Sequence, residues 1–403
     1  VAALEPVFAL DLVGRAFGVV KIRGMPIDVA IPRRESKAGL GHKGFEVLSD
    51  PDMKPEEAAT RRDFTVNSMA YDLARGVLVD PYGGVRDLEA KVLRHVSGKF
   101  VEDPLRVLRG MQFAARFGLE PAPETVAICR TIGMEGLAAE RINDEWSKLI
   151  LRGVKPSTGL RFLMDTGWIR HFPELQALSG CAQEPEWHPE GDVWVHTLQC
   201  MDAYAQERVG DDWEDLVVGL AVLCHDLGKP ATTAFMDGRI RSLGHEDAGE
   251  EPTRSFLGRF TNQADLVEAV VPLVAHHLKP DELFKSKAGD SAIRRLARKV
   301  GRIDRLVRVA RADRMGRHPM AYTGFPAGDW LLESAARLAV EAAAPKPLVL
   351  GRHLIKLGLT PGPGFGKILG ECYEAQLDGA FATEEAGQEF VKRIISDRSL
   401  QGN

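Results

Sequence analysis

The rhythm of apolar and polar positions changes once along the chain. Up to about residue 90 they alternate in short bursts. GVVKIRGMPIDVAI (18–31) is rich in Val and Ile at period two, which predicts two short strands around Arg23 and Gly24. RRESKAGLGHKGFEV (33–47) is glycine-rich and charged and reads as a mobile loop. VLVDPYGGVRDLEA (77–90) predicts a strand, a turn and a helix start, with the glycine pair read as a tight turn closing a hairpin.

From about residue 100 the spacing becomes helical. DPLRVLRGMQFAARFG (103–118) carries apolar residues on one face and stops at Gly118. Further helices are predicted through ERINDEWSKLILRG (140–153) and GLRFLMDTGWIRHF (159–172). EPEWHPEGD (184–192) marks a domain boundary, and helices resume from 193 to about 340 with most of the histidines. TPGPGFGKIL (360–369) is a turn cluster entering a helix. The sequence shows no internal repeat.

Composition narrows the classes. A chain of 403 residues with 44% apolar content supports more than one core. The net charge of −5 gives no global attraction to nucleic acid, so any such surface is a local patch. Cys129, Cys181, Cys200, Cys224 and Cys372 form no CxxC pair, which argues against a disulfide framework or a cysteine zinc site and fits a reducing cytoplasm. No apolar run reaches the length of a membrane span.

Two groups of residues carry candidate chemistry. In the first half, Arg61, Arg62 and Asp63 stand in a row before an apolar segment. They are either a charged entrance to an element or a nucleotide site, with arginine forks for phosphate and a carboxylate for ribose hydroxyls. Asp103, Arg106 and Arg109 are spaced by three, so they share a helix face, as an ion-pair ladder or as a protein template for a base edge. In the second half, His225 and Asp226 are adjacent in LCHDLGKP, with His196 29 positions upstream. His245, the pair His276 and His277, and Asp313 follow. Nitrogen and oxygen ligands on separate helices suit a divalent transition metal, with the cysteines placed elsewhere. Lys229 is either a phosphate contact or a surface lysine.

In this order, RRDFTVN, DPYGGVRDL, EDPLRVLRGMQFAARFG and ERI resemble the class II tRNA nucleotidyltransferases, the CCA-adding enzymes and their poly(A) polymerase relatives. The resemblance implies an α+β, polymerase-β-like head, N-terminally truncated, followed by mostly α-helical neck, body and HD domains. It places the head at 1–94, the neck and body at 95–180, the HD domain at 181–345 and a helical tail at 346–403. It implies Arg62 and Asp63 on the nucleotide's phosphates and ribose, Asp103 and Arg106 reading CTP or ATP, and Arg109 assisting. RRESKAGLGHKGFEV falls at the family's flexible loop for switching from C to A addition. The family's GGxVRD and Asp-x-Asp segments, which hold magnesium, are not found before residue 61, and only Asp28 sits where the family has a third acidic residue. The expectation is that this chain does not polymerise, whereas a longer one carrying the pair does.

The pattern H…HD…H…D resembles the HD phosphohydrolases, and HPEGDVWVHTL those of multifunctional bacterial CCA proteins. This implies His196, His225, Asp226 and Asp313 as ligands of a divalent ion such as nickel. His245 and one of His276 or His277, with His276 assigned, are a further ligand or a phosphate contact. His225 and Asp226 are also catalytic. Metal-assisted hydrolysis of 2′,3′-cyclic and terminal phosphates on tRNA would accompany CCA addition. Poly(A) polymerase is the alternative enzyme, disfavoured by the HD domain and the lack of a strongly basic tail. A tRNA-binding remnant without polymerisation is the alternative of another class.

Overall fold

The computed structural model describes residues 4–12, 19–37 and 45–401. The chain divides into two compact units, residues 1–173 with 259–261, and residues 174–258 with 262–403.

The first unit opens with an antiparallel sheet of β1 (Leu10–Asp11), β2 (Val19–Ile22) and β3 (Asp28–Ala30) in that order. Period two holds on β2, which buries Val20 and Ile22. Gly24 turns the chain with a φ of 78°, where a side chain is strained. Next come β4 (Arg33–Lys37) and β5 (Phe45–Ser49), paired antiparallel. The centre of the expected mobile loop, 38–44, lies outside the described residues.

α1 (Pro55–Ala59), the hairpin of β6 (Ala70–Asp72) and β7 (Val77–Val79), and α2 (Gly84–Glu89) follow. The glycine pair does not close a hairpin; it starts α2. The Asp80 carboxylate accepts from the N–H groups of Gly84 (2.6 Å) and Val85 (3.0 Å), satisfying the first turn. Gly84 is required because a Cβ there would lie 2.3 Å from the Thr65 carbonyl oxygen.

β8 (Val92–Leu93) pairs with β9 (Glu120–Pro121) on either side of α3 (Leu105–Phe117), which ends as expected in left-handed Gly118. α4 (Pro123–Arg130), α5 (Ala139–Arg152) and α6 (Pro156–Asp165) complete the unit. α3 meets α6 through glycine on both sides. A Cβ on Gly110 would reach the Phe162 ring at 2.6 Å, and one on Gly159 would reach the Met111 carbonyl at 2.4 Å.

α7 (Pro173–Gln176) straddles the division, and the second unit is otherwise helical except for one hairpin. α8 (Val193–Gln206) is capped by Asp192, whose side chain accepts from Val195 N–H, and α9 (Asp212–Cys224) by Asp211. α10 (Lys229–Thr232), the hairpin of β10 (Thr233–Met236) and β11 (Arg239–Ser242), and α11 (His245–Ala248) follow. Then come α12 (Glu250–Gly258), α13 (Ala264–Ala275), α14 (Lys279–Lys285), α15 (Asp290–Val300), α16 (Ile303–Met315) and α17 (Pro326–Arg337). α8, α9, α13 and α16 form the core around Leu198, Leu220, Val270 and Leu306, all at most 2% exposed. α18 (Gly351–Lys356), α19 (Gly364–Leu377) and α20 (Glu384–Gln401) pack on a core of their own, with Leu354, Ile368 and Val391, and the glycine cluster leads into α19.

Candidate functional site

In the second unit, α8 contributes His196, the end of α9 contributes His225 and Asp226, α11 contributes His245 and α16 contributes Asp313. The fourth histidine is His277, just past the end of α13. All six are buried. His196 Nε2 lies 3.1 Å from Asp313 Oδ1 and 3.4 Å from His225 Nε2. His225 Nε2 lies 3.2 Å from Asp226 Oδ2. His245 Nε2 lies 3.4 Å from Asp226 Oδ1 and 3.3 Å from His277 Nε2.

His276, assigned from the sequence, is not in this cluster. Its Nδ1 turns back to the Ala275 carbonyl, because the helix ends at Ala275 and the next two residues project to different sides. The cysteines are not all elsewhere. Cys200, one turn after His196 on α8, places its sulfur 3.3 Å from His196 Nε2.

Each imidazole of the cluster is held by its other nitrogen. The Nδ1 atoms of His225, His245 and His277 face the carbonyls of Val222 (2.7 Å), Ser242 (2.8 Å) and Val274 (2.7 Å). His196 Nδ1 faces Glu190 Oε1 at 2.7 Å. Carbonyls only accept, so Nδ1 carries the proton and Nε2 turns a lone pair inward. Facing lone pairs 3.3–3.4 Å apart favour a shared cation. Both Asp226 carboxylate oxygens are buried without a hydrogen-bond partner. Lys229 Nζ comes within 2.8 Å of one but out of line for a hydrogen bond, and donates instead to Gln183 Oε1 at 2.7 Å. The donor set therefore fits a divalent ion with nitrogen and oxygen ligands.

The same carboxylates that would hold a cation also draw protons onto His196 and His225. Burial opposes charge on His225, but the adjacent Asp226 overrides it and pushes the imidazole up to about 10. Burial pushes His277 down to about 3, helped by the neighbouring His225 and His245. Burial also opposes ionisation of Asp226 and Asp313, yet His225 and Lys229 hold the first, and Arg317 and His196 the second, well below the carboxylate range.

Sequence reasoning missed several residues here. Glu190 bridges His188 Nδ1 (2.8 Å) and His196 Nδ1, and those bonds overcome burial to bring it down to about 2. Arg317, one turn beyond Asp313, donates from Nη2 to both Asp313 oxygens at 3.0 and 3.1 Å. With Gln183, Trp187, His188 and Lys229 it lines a cavity of about 280 Å³ over Asp226, His245, His277 and Asp313. The signal was present in EPEWHPEGD, expected as a domain boundary, which supplies Glu184, Trp187 and His188 to this wall.

In the first unit, Asp63 is buried. Its Oδ1 accepts from Phe64 N–H (2.8 Å) and Asn67 Nδ2 (3.0 Å), and its Oδ2 from Arg109 Nε (2.6 Å). Arg62 donates to the Asn67 carbonyl. Arg106 donates to the carbonyls of Lys99 and Arg61, both at 2.6 Å, and burial lowers its pKa. Asp103, Arg106 and Arg109 do not share one helix face. Asp103 is extended, with φ −128° and ψ 103°, because Pro104 follows it and α3 starts at Leu105. Its carboxylate instead accepts two bonds from Arg141 on α5, at 2.8 and 3.3 Å. A cavity of about 400 Å³ is lined by Val19, Ala30, Arg61 and Arg62 among others. Asp28 stands apart, exposed on β3 opposite Lys21. Among the described residues the head gathers no group of three metal-ligating side chains.

Comparison with known proteins places these features. Residues 13–94 match the Poly A polymerase head domain and residues 193–314 the HD domain, both metal-dependent families. The chain is 38% identical over 374 residues to a multifunctional CCA protein of Xanthomonas campestris pv. campestris, covering 89% of this chain and 86% of the relative. It is 38% identical over 346 residues to one from Stenotrophomonas maltophilia, covering 82% and 83%. Among solved structures, an apo CCA-adding enzyme aligns with a TM-score of 0.57 at 20% identity, over 97% of this chain and 83% of that one. A CCA-adding enzyme with CTP aligns with a TM-score of 0.52 at 19% identity, over 91% and 82%. The fold is thus a polymerase-β-like head with an HD domain, and the chain is an enzyme of the multifunctional CCA protein family.

Proposed function

We propose that this protein serves the building and repair of the 3′ CCA end of tRNA from CTP and ATP, with nucleotide addition itself expected of a longer chain that carries the Asp-x-Asp pair, and that its HD domain is a metal-dependent phosphohydrolase acting on 2′,3′-cyclic and terminal phosphates. The buried set of inward-facing imidazole nitrogens around the Asp226 carboxylate carries the second half of this reading. His196, His225, Asp226, His245, His277 and Asp313 would hold a divalent ion such as nickel. When bound, that ion would polarise a phosphoryl oxygen and acidify water. Glu190 and the carbonyls of Val222, Ser242 and Val274 orient the imidazoles. Lys229 and Arg317 set positive charge at the cavity wall for the phosphate oxygens.

In the head, Arg62, Asp63, Asp103, Arg106 and Arg109 form the nucleotide site, with the Asp63–Arg109 and Asp103–Arg141 pairs fixing its walls. The paired Asp103 and Arg141 offer acceptor and donors to a base edge. We place domain limits near 94, 180 and 345; the head match ends at 94, and the HD match, 193–314, lies inside the third segment. No helix among the described residues is long and apolar enough to cross a membrane, and the five free cysteines fit a cytoplasmic enzyme.

The test is hydrolysis of 2′,3′-cyclic AMP by the chain with added nickel. Chelation should abolish it. His225→Ala should lower it at least as far as the roughly 100-fold that outer-shell changes can cost. Turnover that survives both would sink the proposal.

A further inference from the structure

The metal-site cavity does not end at Arg317. A second cavity, of about 590 Å³, shares Trp187, Leu278 and Arg317 with it. That size lies in the range of roughly 300–1,000 Å³ usual for small-molecule sites. Its remaining wall is unlike the first. Phe284 and Tyr322 present aromatic surface, 42% and 44% exposed, and Trp187 between the two cavities is 51% exposed. Lys285 adds positive charge. The acids on this wall are neutralised locally, Asp281 by Arg314 at 2.9 Å and Glu282 by Lys279.

Large exposed aromatics beside cations, next to a phosphate-sized polar site, match the chemistry of a nucleoside. A base has a π-face for stacking whatever its sequence identity, and its phosphate carries the charge. Trp187 is placed for this. Its N–H donates to the Glu184 carbonyl, and Glu184 Oε2 accepts from Ile240 N–H of β11, so the loop is pinned at its base. Arg317 spans both compartments, and its Nη2 is committed to Asp313 while its buried Nε has no hydrogen-bond partner.

We propose that the second cavity is a base-stacking subsite. It receives the terminal nucleoside of an RNA whose 2′,3′-cyclic or terminal phosphate lies at the buried histidine cluster. The proposal rests on the phosphohydrolase reading and adds to it where the base sits, with Trp187 and Tyr322 as the specificity determinants.

The experiment compares 2′,3′-cyclic AMP with methyl ribofuranoside 2,3-cyclic phosphate, which has the same phosphodiester and no base. Full-length chain is assayed with nickel, as wild type, Trp187→Ala, Tyr322→Ala and Trp187→Phe. Wild type should favour the nucleotide by about tenfold or more in kcat/KM, the scale of one base stack. Both alanine variants should erase most of that ratio, mainly through KM for the nucleotide, and Trp187→Phe should restore it. Equal use of the two substrates by wild type, or a ratio that survives in both alanine variants, would overturn the subsite while leaving the phosphohydrolase standing. If wild type hydrolyses neither substrate, the phosphohydrolase reading fails and the subsite with it.

Discussion

His276 and His277 are neighbours in sequence and opposites in environment. His277 is buried with its Nε2 on the cluster, whereas His276 turns to a backbone carbonyl. We therefore expect His277→Ala to lose metal affinity and turnover together, and His276→Ala to keep both within about threefold, as read by calorimetric metal titration. No spacing rule separates two adjacent histidines; the choice is made by where α13 ends. Glu190 was equally hidden, since its partner His188 is two residues before it and His196 six after. Glu190→Gln keeps an acceptor for His196 but removes the charge. It should weaken metal affinity by about tenfold, the lower end of outer-shell effects, with the metal-free unfolding midpoint little changed. Cys200 escaped because its role comes from sharing a helix face with His196, one turn away, rather than from a cysteine motif.

At the scale of elements, the sequence was legible where period and capping agree. α3 runs from its predicted start region to Gly118, and β2 and β3 pair around Gly24. It misled where tertiary contacts choose between local options. DPYGGVRD reads equally well as a hairpin turn, and the close packing of Gly84 on the Thr65 carbonyl, 2.3 Å from where a Cβ would lie, favours the start of α2. The Leu-Gly-Lys after His225 and Asp226 also has a packing cause. A Cβ on Gly228 would lie 2.0 Å from the His245 carbonyl oxygen and 2.6 Å from Gly249 N, so the start of α10 touches α11 backbone to backbone. Gly228→Ala should displace His245 and depress turnover while costing about 1–3 kcal/mol in stability. Gly159→Ala should cost a similar amount, against its gain in helix propensity, because the obstacle is the Met111 carbonyl rather than a flexible side chain. Denaturant unfolding of the two variants beside wild type measures both.

At the scale of the molecule, the two units have separate cores and separate candidate chemistry, so one unfolding transition is not guaranteed. An ion that binds only folded protein stabilises it by about 2.7 kcal/mol at a hundred times its Kd. Nickel should therefore raise the melting transition of the second unit, leave that of the first in place, and do neither in His225→Ala. A calorimetric scan with and without chelator reports this directly. A uniform shift of both transitions, or none, would contradict independent cores or the metal assignment respectively. The order of motifs disclosed this two-part plan in advance, because head and HD signatures are local. The pairing of Asp103 with Arg141, across 38 residues, was not disclosed, since nothing near Asp103 announces its partner.

Glu190 joins two tasks through one carboxylate. One oxygen serves both His188, on the loop that carries Trp187, and His196, at the metal cluster. An engineer who replaces that loop to change which RNA end is accepted also retunes the ligand that grips the ion. Altered preference and altered metal demand should then arrive as a package, and variants selected for a new substrate should be screened again for the ion they require.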